Sequence, residues 1–378
     1  MHDNLDKVTI KPRVLVWGFS DNRAGTEAVI HSIASRLPDF SFDFLCYSAP
    51  VSYADLFDEG GANENRYYVL PIKIKHPFSY WRRLHQFVEE HAGEYCALWC
   101  NINDMSNIDI VKMASRLEIE RIAVHAHNSA IPNLLVTKIF HGINSARCRQ
   151  LSTSRFACSS AAGSFFFADL SFNVIPNMVD RDNFSFCRAD REAVRSMHGI
   201  GEHDFVIGFV GRLEEQKNPK YLIELMPELL AGNPHVKLML VGEGSMRAEL
   251  KQMVITSHLE DSVLFAGVQR EIPKYLSAFD AFAFPSIFEG FGNALVEAQF
   301  NGLPAVISEN IPSDAVISSA TKVAPLNDKK EWSRLLLSAN RSNVLIDENR
   351  AARFDSANFD SEIRPIVSEA FISADGSH

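Results

Sequence analysis

The 378-residue sequence lacks several features that would assign it to a membrane or nucleic-acid-binding class. No uninterrupted apolar run reaches the roughly 18 residues that cross a bilayer, and an acid, Asp3, stands where a signal peptide would be basic. Positive charge is also scarce, since 37 Lys and Arg against 47 Asp and Glu give a net charge of −10. Phosphate backbones need a basic surface. We therefore expect a cytoplasmic protein with no nucleic-acid partner.

Two sequence signatures are missing as well. The six cysteines show no Cys-x2-Cys spacing, and the closest pair, Cys96 and Cys100, lies in an apolar stretch. This pattern predicts neither a zinc site nor a disulfide framework, and it favours buried thiols in a reducing compartment. No strand is followed by a G-x-G-x-x-G dinucleotide fingerprint, which argues against a nicotinamide oxidoreductase.

Short apolar runs alternate with helical patterns along the whole chain. The length predicts about two domains, and near-continuous apolar strands between helices are typical of parallel sheets covered on both faces. The predicted strands are 13–18, 42–46, 97–99, 121–125, 205–210, 236–241, 263–265 and 281–284, and the clearest helices are 26–37, 220–230 and 294–301. We expect an α/β protein of two Rossmann-like, doubly wound parallel-sheet domains that face each other across a cleft.

The alternation stops near residues 174–177 and restarts near 202–204, in a stretch that contains Pro176 and many charges. Residues 1–176 are nearly balanced in charge, and almost all of the acidic excess follows them. We predict an N-terminal domain over 1–180, a C-terminal domain over 181–350, and a C-terminal helix with a frayed tail over 351–378 that crosses back to the N-terminal domain. Ligands of such sheets bind beyond the carboxyl ends of the strands.

The segment 284–298 has the strongest chemical signature. A strand ends at Pro285, a turn with Gly290 and Gly292 follows, and a helix begins near Asn293. Glycines at a strand-to-helix turn let backbone N–H groups converge, and the helix N-terminus adds partial positive charge, so the segment predicts a phosphate site. Glu289 in the turn and Glu297 two turns into the helix suit sugar hydroxyls better than phosphate.

A second segment, 211–219, follows the strand at 205–210. Its Arg212 and Lys217 fall at the same predicted sheet edge as the glycine turn. Arginine offers a planar fork for phosphate oxygens and lysine a mobile point charge. Two cations and a helix N-terminus would neutralise a diphosphate without a metal ion. Taken alone, both residues also fit ordinary surface charges.

The N-terminal half offers weaker signals. Gly25 lies between the first strand and first helix, where a glycine allows a ligand close to the backbone. His125 and His127 end a strand and point to one side if the strand continues. They would suit a zinc pair, but no third ligand has suitable spacing. The alternative is that one histidine packs in the wall of the site and the other contacts a ligand hydroxyl.

The segment 73–84 is basic and aromatic, with Lys73, Lys75, Arg82 and Arg83 among Tyr80 and Trp81. One interpretation is a surface that rests on anionic lipid, on the inner face of the membrane, and presents a lipid-linked acceptor. The other is an ordinary amphipathic helix packed on the sheet.

Taken together, these segments resemble the retaining glycosyltransferases of family 4 (group 1 glycosyltransferases), which have the GT-B fold. The resemblance covers about 205–312 in order and spacing, and it includes the Glu-x7-Glu motif from Glu289 to Glu297. The N-terminal half resembles the family less, since the usual two glycines are Ala24 and Gly25 here. The matching motifs are Gly211-Arg212, Lys217-Asn218, the segments 240–244 and 263–267, Asp280-Ala281-Phe282 and Phe284-Pro285-Ser286.

The resemblance implies a role for each matching position. Arg212, Lys217 and the backbone N–H groups of Phe291, Gly292 and Asn293 would bind the diphosphate of a nucleotide sugar. Glu297 would accept from the ribose hydroxyls, Glu289 would hold the transferred sugar, and the backbone near Gln269 would read the base. In the N-terminal domain, His127 would reach the donor sugar and Gly25 the phosphate. Glu289, His127, Lys217 and Arg212 are the expected catalytic residues.

The implied reaction is metal-independent, retaining transfer of a hexose or N-acetylhexosamine from a nucleotide sugar, expected to be UDP-linked. The acceptor would be a glycan or a lipid-linked saccharide in the synthesis of a surface polysaccharide of capsular or exopolysaccharide type. No cofactor or metal is then required, because fixed cations stabilise the departing diphosphate. Three alternatives remain: a non-catalytic sugar-nucleotide-binding protein, a metal-dependent transferase that uses Asp180 and Asp182, and a glycoside hydrolase with two carboxylates.

Overall fold

The computed structural model describes residues 11–19, 25–47, 65–131 and 134–372. The chain divides into two compact units, one of Met1–Ile175 with Phe359–His378 and one of Pro176–Asn358. The segment from Phe359 onward therefore belongs to the same unit as the N-terminal half. None of the helices within the described ranges is long and apolar enough to cross a membrane.

The first unit is built on a seven-stranded parallel sheet with the strand order β3-β2-β1-β4-β5-β6-β7. Its strands are β1 (Arg13–Phe19), β2 (Ser41–Cys46), β3 (Arg66–Val69), β4 (Ala97–Ile102), β5 (Arg121–Ala126), β6 (Ser154–Ala157) and β7 (Asn173–Val174). Its described helices before the unit boundary are α1 (Gly25–Ala34), α2 (Pro77–Glu90), α3 (Asp109–Met113), α4 (Leu135–Leu151) and α5 (Ser160–Phe167).

The second unit repeats this plan with six parallel strands in the order β10-β9-β8-β11-β12-β13. The strands are β8 (Phe205–Val210), β9 (Val236–Val241), β10 (Val263–Gly267), β11 (Ala281–Phe284), β12 (Ala305–Ser308) and β13 (Thr321–Ala324). The helices are α6 (Arg188–Met197), α7 (Pro219–Gly232), α8 (Arg247–Thr256), α9 (Ile272–Ala278), α10 (Asn293–Phe300), α11 (Lys329–Leu337) and α12 (Glu348–Ala351).

The predicted fold class, two doubly wound parallel sheets, is confirmed. In both sheets the strand order reverses beside the first strand, so that β1 has β2 on one side and β4 on the other, and β8 has β9 and β11. Loops that leave such a switch point open a crevice at the carboxyl edge of the sheet. In the second unit this crevice receives the loops after β8 and β11, which carry the two segments singled out from the sequence.

The C-terminal region differs in detail from the single helix with a frayed tail expected over 351–378. It forms α12, then α13 (Phe359–Glu362) and α14 (Arg364–Phe371), and the unit boundary falls between α12 and α13. The helix α14 packs on the first sheet, where the Phe371 ring lies 5.6 Å from Phe40 and 5.8 Å from Trp99. The predicted polar tail after Ile372 lies outside the described residues.

Candidate active site

Two loops of the second unit meet at the carboxyl edge of its sheet. Parallel pairing of β8 with β11 brings their ends together. The backbone N–H of Ile287 donates to the carbonyl oxygen of Gln216 (2.8 Å), and the Gln216 amide donates back to the Phe288 carbonyl oxygen (3.1 Å). The Asn218 amide adds a third bond, to the Pro285 carbonyl oxygen (3.2 Å). The β8 loop is thereby fixed against the β11 loop.

The loop after β8 packs closely against the start of the loop after β9. The N–H of Gly211 donates to the Val241 carbonyl oxygen, and Gly242 crosses the same point with φ +135°. A Cβ at Gly242 would lie 2.0 Å from the Gly211 carbonyl oxygen, so only glycine fits there. A short 3₁₀ turn (Glu215–Lys217) and a left-handed Asn218 then lead into Pro219, the first residue of α7.

Lys217 and Glu289 form the central ion pair of this edge. The Lys217 Nζ donates to Glu289 Oε1 at 2.6 Å, and the two side chains are 17% and 6% exposed. The ammonium also lies 5.2 Å from the centre of the Phe284 ring. An ion pair this far from bulk water is screened little by salt, so its charges act strongly on any ligand that enters.

Arg212 lies at the outer side of the same loop. Its side chain is exposed, and its guanidinium donates to the Gln216 side-chain oxygen at 3.2 Å. The structure therefore places both predicted cations on one loop, Lys217 inside and Arg212 toward solvent. Gln216 was not singled out from the sequence, and the only signal for it is its position directly before Lys217.

The predicted anion site falls at the N-terminus of α10. Gly292 precedes the helix with φ +103°, and among the described residues no side chain caps this end. The first N–H groups of a helix have no acceptor within the helix, so those of Asn293 and Ala294 are available to a ligand, whereas that of Leu295 donates to the Gly292 carbonyl oxygen. Phe291 is buried against the Phe354 ring (5.1 Å), and the Asn293 side chain accepts a hydrogen bond from Asn177.

Glu297 lies within α10, eight residues after Glu289. Desolvation by the surrounding protein raises the pKa of its carboxyl from 4.5 to about 7. Because each bound hydroxyl that donates to a carboxylate favours the ionised form, a diol ligand would return this pKa toward its ordinary range. The two glutamates thus differ in environment, since Glu289 has a cation beside it and Glu297 has none within the described residues.

Gln269 follows β10 on the neighbouring loop. The chain turns there through Gly267, whose φ is +70°, and the Gln269 amide donates to the Ala266 carbonyl oxygen at 2.6 Å. The N–H of Gly242 donates to the Gly267 carbonyl oxygen, which ties this loop to the β9 loop. Gln269 therefore lies on the same carboxyl edge as the loops after β8 and β9.

In the first unit, His127 directly follows β5 and is buried. Burial lowers its pKa to about 3, so the ring is neutral. The Asn101 amide donates to the Trp17 carbonyl oxygen, which turns its side-chain oxygen toward His127 Nε2 at 2.9 Å. His127 then carries its proton on Nε2 and leaves Nδ1 as an acceptor. This geometry permits contact with a hydroxyl that donates.

The first unit contains two other predicted site residues, His125 and Gly25. His125 is fully buried, with its ring 4.2 Å from that of His127, and burial lowers its pKa well below 6.5. No third metal ligand accompanies the two histidines in the part of the chain that the structure describes. Gly25 begins α1, and residues 20–24 of the predicted loop lie outside the described residues.

Asp180 and Asp182 are turn residues in the second unit. Asp180 accepts from the Asn183 side chain (2.7 Å), and the intervening Arg181 pairs with Glu348 through two bonds of 2.6 and 2.9 Å. Over the four described ranges, no group of three or more His, Cys, Asp or Glu side chains is placed to hold a metal ion.

Comparisons with known proteins agree with this geometry. Residues 190–356 match the family model described as "Glycosyl transferases group 1". The putative glycosyltransferase EpsF of Bacillus subtilis is 26% identical over 336 residues, which cover 84% of this chain and 85% of that protein. An Escherichia coli enzyme, UDP-Gal:alpha-D-GlcNAc-diphosphoundecaprenol alpha-1,3-galactosyltransferase, is 34% identical over 142 residues, or 37% of each chain.

Solved structures show the same architecture. Anabaena HepE, crystallised in complex with UDP-glucose, superposes with a TM-score of 0.77 at 20% identity and covers 94% of this chain and 99% of its own. WaaG, a glycosyltransferase involved in lipopolysaccharide biosynthesis, gives a TM-score of 0.64 at 15% identity, over 94% of this chain and 97% of its own. The two parallel sheets and these comparisons lead to one assignment: the chain has the GT-B fold, and its residues 190–356 are those of a group 1 glycosyltransferase.

Proposed function

We propose that this enzyme transfers a hexose or N-acetylhexosamine from a UDP-linked donor to a glycan or lipid-linked saccharide in polysaccharide biosynthesis, with retention of the anomeric configuration and without a metal ion. One observation carries the proposal: the Lys217–Glu289 pair lies between two loops at the carboxyl edge of the sheet, beside the uncapped N-terminus of α10. This arrangement offers fixed positive charge for a leaving diphosphate and a carboxylate for a sugar.

The chemistry follows from where charge develops. When the bond from the anomeric carbon to the diphosphate oxygen breaks, its electron pair stays on the diphosphate. Lys217, Arg212 and the N–H groups of Phe291, Gly292 and Asn293 stabilise that charge, which lowers the barrier. The acceptor hydroxyl attacks on the same face and passes its proton to the departing phosphate oxygen. Anabaena HepE, crystallised with UDP-glucose, and the E. coli UDP-galactose-dependent relative support UDP as the nucleotide.

The rest of the donor is bound by three further residues, Glu289, Glu297 and Gln269, each of which contacts a different part of it. Glu289 holds hydroxyls of the transferred sugar, because its ion pair keeps it beside the phosphate cations. Glu297 accepts from the ribose hydroxyls, and the backbone near Gln269 reads the base. His127 and Gly25 remain predictions from the family resemblance, for the donor sugar and the phosphate respectively.

Thermal-shift screening against a panel of nucleotide sugars tests the donor. We expect UDP-sugars to raise the melting temperature and GDP- or ADP-sugars to have little effect, since a ligand stabilises the state that binds it. The product linkage, read from the anomeric proton coupling by NMR, then tests retention. A crystal soaked with UDP that shows the ligand away from Lys217 and the α10 N-terminus would contradict the proposal.

Peripheral contact with the cytoplasmic face of a membrane is part of the proposal, through the segment 73–84. Here Phe78 and Ile74 are 90% and 89% exposed, whereas Tyr80 and Leu84 are buried. Lys73 is not free to meet lipid, because its Nζ lies 2.5 Å from the buried Asp109 carboxylate. The remaining basic residues, Lys75, Arg82 and Arg83, are exposed.

Vesicle flotation tests this contact. Replacing Lys75, Arg82 and Arg83 by Glu should abolish binding to phosphatidylglycerol vesicles without unfolding the protein, since all three side chains are exposed. Equal binding by the variant and the unaltered protein would contradict the membrane contact and leave the proposed sugar transfer untouched.

A further inference from the structure

The helix α4 presents its apolar side to solvent and its polar side to the protein. The buried side chains of its 17 residues are Asn144, Ser145 and Cys148. The opposite side carries large apolar residues at helical spacing. Their exposed fractions are 73% for Leu135, 60% for Val136, 51% for Ile139, 50% for Phe140 and 67% for Ile143. A surface helix of a globular protein normally has the reverse arrangement.

Polar contacts hold this inverted helix in place. The Asn144 amide donates to the carbonyl oxygens of Met105 (2.9 Å) and Ser106 (3.1 Å), and its oxygen accepts from Lys112 at 2.8 Å. The N–H of Met105 donates to His141 Nδ1 at 3.1 Å. Because the buried side is fastened by specific hydrogen bonds, the helix cannot rotate its apolar side inward without losing them.

The charge around α4 indicates what covers the apolar side. No acidic residue stands between Glu120 and Asp169, in a protein whose net charge is −10. The same stretch contains five cations, Arg121, Lys138, Arg147, Arg149 and Arg155. Five large exposed apolar side chains on one side of a helix mark an interaction site, and a segment with five cations and no acid favours an anionic partner.

We infer that the α4 face, meaning Leu135, Val136, Ile139, Phe140 and Ile143, inserts into the headgroup region of an anionic bilayer. Apolar side chains beside basic ones are the arrangement by which an interfacial helix binds such a surface. A second copy of this chain fits worse, since a two-fold interface would place the same cations opposite each other.

The helix α4 and the segment 73–84 contact the same loop, 105–109. Asp109 pairs with Lys73 and the Asn107 amide donates to Tyr80 (3.2 Å), while Met105 on the same loop contacts α4. That segment is also acid-free, since no Asp or Glu occurs between Glu64 and Glu89. The inference therefore rests on the proposed membrane contact and gives it a second, more apolar element.

Vesicle flotation with a charge-matched pair of variants tests the inference. The variant I139E/I143E places two acids on the α4 face, and the control Q252E/I255E places two acids on exposed positions of α8 in the second unit. With vesicles of equal parts phosphatidylglycerol and phosphatidylcholine, we expect the unaltered protein and the control to float and I139E/I143E to lose binding at least about tenfold. The uncharged variant I139S/I143S should lose binding in the same direction.

Far-UV circular dichroism and melting temperature should be unchanged in all variants, because every altered side chain is exposed. Equal flotation of I139E/I143E and Q252E/I255E would overturn the inference, as would failure of the unaltered protein to float. A dimer in solution that I139E/I143E dissolves would also overturn it and assign the face to a second copy. The UDP thermal shift, measured without vesicles, reports on the donor site separately, so its loss would count against the proposed sugar transfer alone.

Discussion

Lys217 Nζ and Glu289 Oε1 lie 2.6 Å apart although 72 residues separate them in the chain. The pair links the loop after β8 to the loop after β11, beside three further hydrogen bonds that Gln216 and Asn218 make across the same gap. The cation and the carboxylate are therefore positioned before any ligand arrives. A site organised in advance does not spend binding energy on ordering its own groups.

Lys217→Ala should reduce kcat/KM for sugar transfer by about 100-fold or more, because it removes a cation from the leaving diphosphate. It should also lower the free energy of unfolding by roughly 3 kcal/mol, since the buried Glu289 carboxylate loses its ion pair with Lys217. Glu289→Ala should abolish most transfer as well. Steady-state kinetics and denaturant titration measure both effects.

Lys220→Ala is the matched control. Lys220 lies three residues beyond Lys217, and its Nζ pairs with Glu249 at 3.0 Å. Both side chains of this pair are about half exposed, at 43% and 52%. Exposed pairs contribute less than about 1 kcal/mol, so turnover and stability should both stay near those of the unaltered protein. Near-normal turnover in Lys217→Ala would contradict the assignment of Lys217 to the leaving diphosphate.

Affinity for the donor should depend on pH through Glu297. Its pKa is raised to about 7, and only the ionised carboxylate accepts from two ribose hydroxyls. Binding of UDP-glucose, whose diphosphate does not titrate in this range, should be about tenfold weaker at pH 6 than at pH 8. Isothermal titration calorimetry measures this dependence. In Glu297→Gln the affinity should be low and independent of pH, and a profile that still falls below pH 7 would exclude Glu297 as its source.

The same substitution should stabilise the protein at high pH. A raised pKa means that the folded state favours the protonated carboxyl, so stability is full below pH 4.5 and falls as the pH rises through 7. Because Glu297 retains some solvent exposure, Glu297→Gln should add about 1–3 kcal/mol at pH 8 and close to nothing at pH 4.5. Thermal melts at the two pH values test this, with exposed Glu309→Gln as the control.

Gly292→Ala should weaken UDP binding more than it weakens the fold. A φ of +103° costs an L-residue about 1–2 kcal/mol, and the new Cβ would lie 3.3 Å from the Phe284 ring. Relief of that strain moves the first N–H groups of α10 away from the phosphate. Gly142→Ala on α4 is the control, because a Cβ there meets nothing within 4 Å. This substitution should raise the free energy of unfolding by up to about 1 kcal/mol, since alanine favours the helix more than glycine does. Unchanged UDP affinity in Gly292→Ala would count against this anion site.

Sugar transfer should continue in EDTA. The cations of the β8 loop and the α10 N-terminus serve in place of a metal, and Asp180 is engaged with Asn183. Asp180→Asn and Asp182→Asn should each change turnover less than about twofold. A strict requirement for Mg²⁺ or Mn²⁺, lost together with either aspartate, would favour the metal-dependent alternative.

The sequence predicted the almost entirely apolar strands better than the strands of mixed composition. The strands β8, β9 and β11 were predicted over the ranges that the structure gives them, because almost every residue in each of them is apolar or glycine. The strands β3, β6, β7, β12 and β13 were not predicted. Each has four residues or fewer and contains at least one polar residue, and most residues of β3 and β13 are only partly buried or exposed, so the conformation of these strands depends on a neighbouring strand rather than on their own pattern.

The candidate site shows the same division. The glycine turn, the two cations and the two glutamates were recognisable from residue type and spacing. Their differences were not: Arg212 is exposed while Lys217 is paired, and Glu297 is desolvated while Glu289 has a cation. The tautomer of His127 depends on Asn101, which no spacing connects to it.

By itself, the sequence determined the alternation of strands and helices, the glycine-bearing turn before α10 and the placing of chemical groups at strand ends, because these follow from local periodicity and backbone freedom. Only the tertiary structure decided which groups meet, how deeply each charge is buried, and that α4 turns its apolar side outward. Those properties depend on residues far apart in the chain, and desolvation and ion pairing act through space rather than along the sequence.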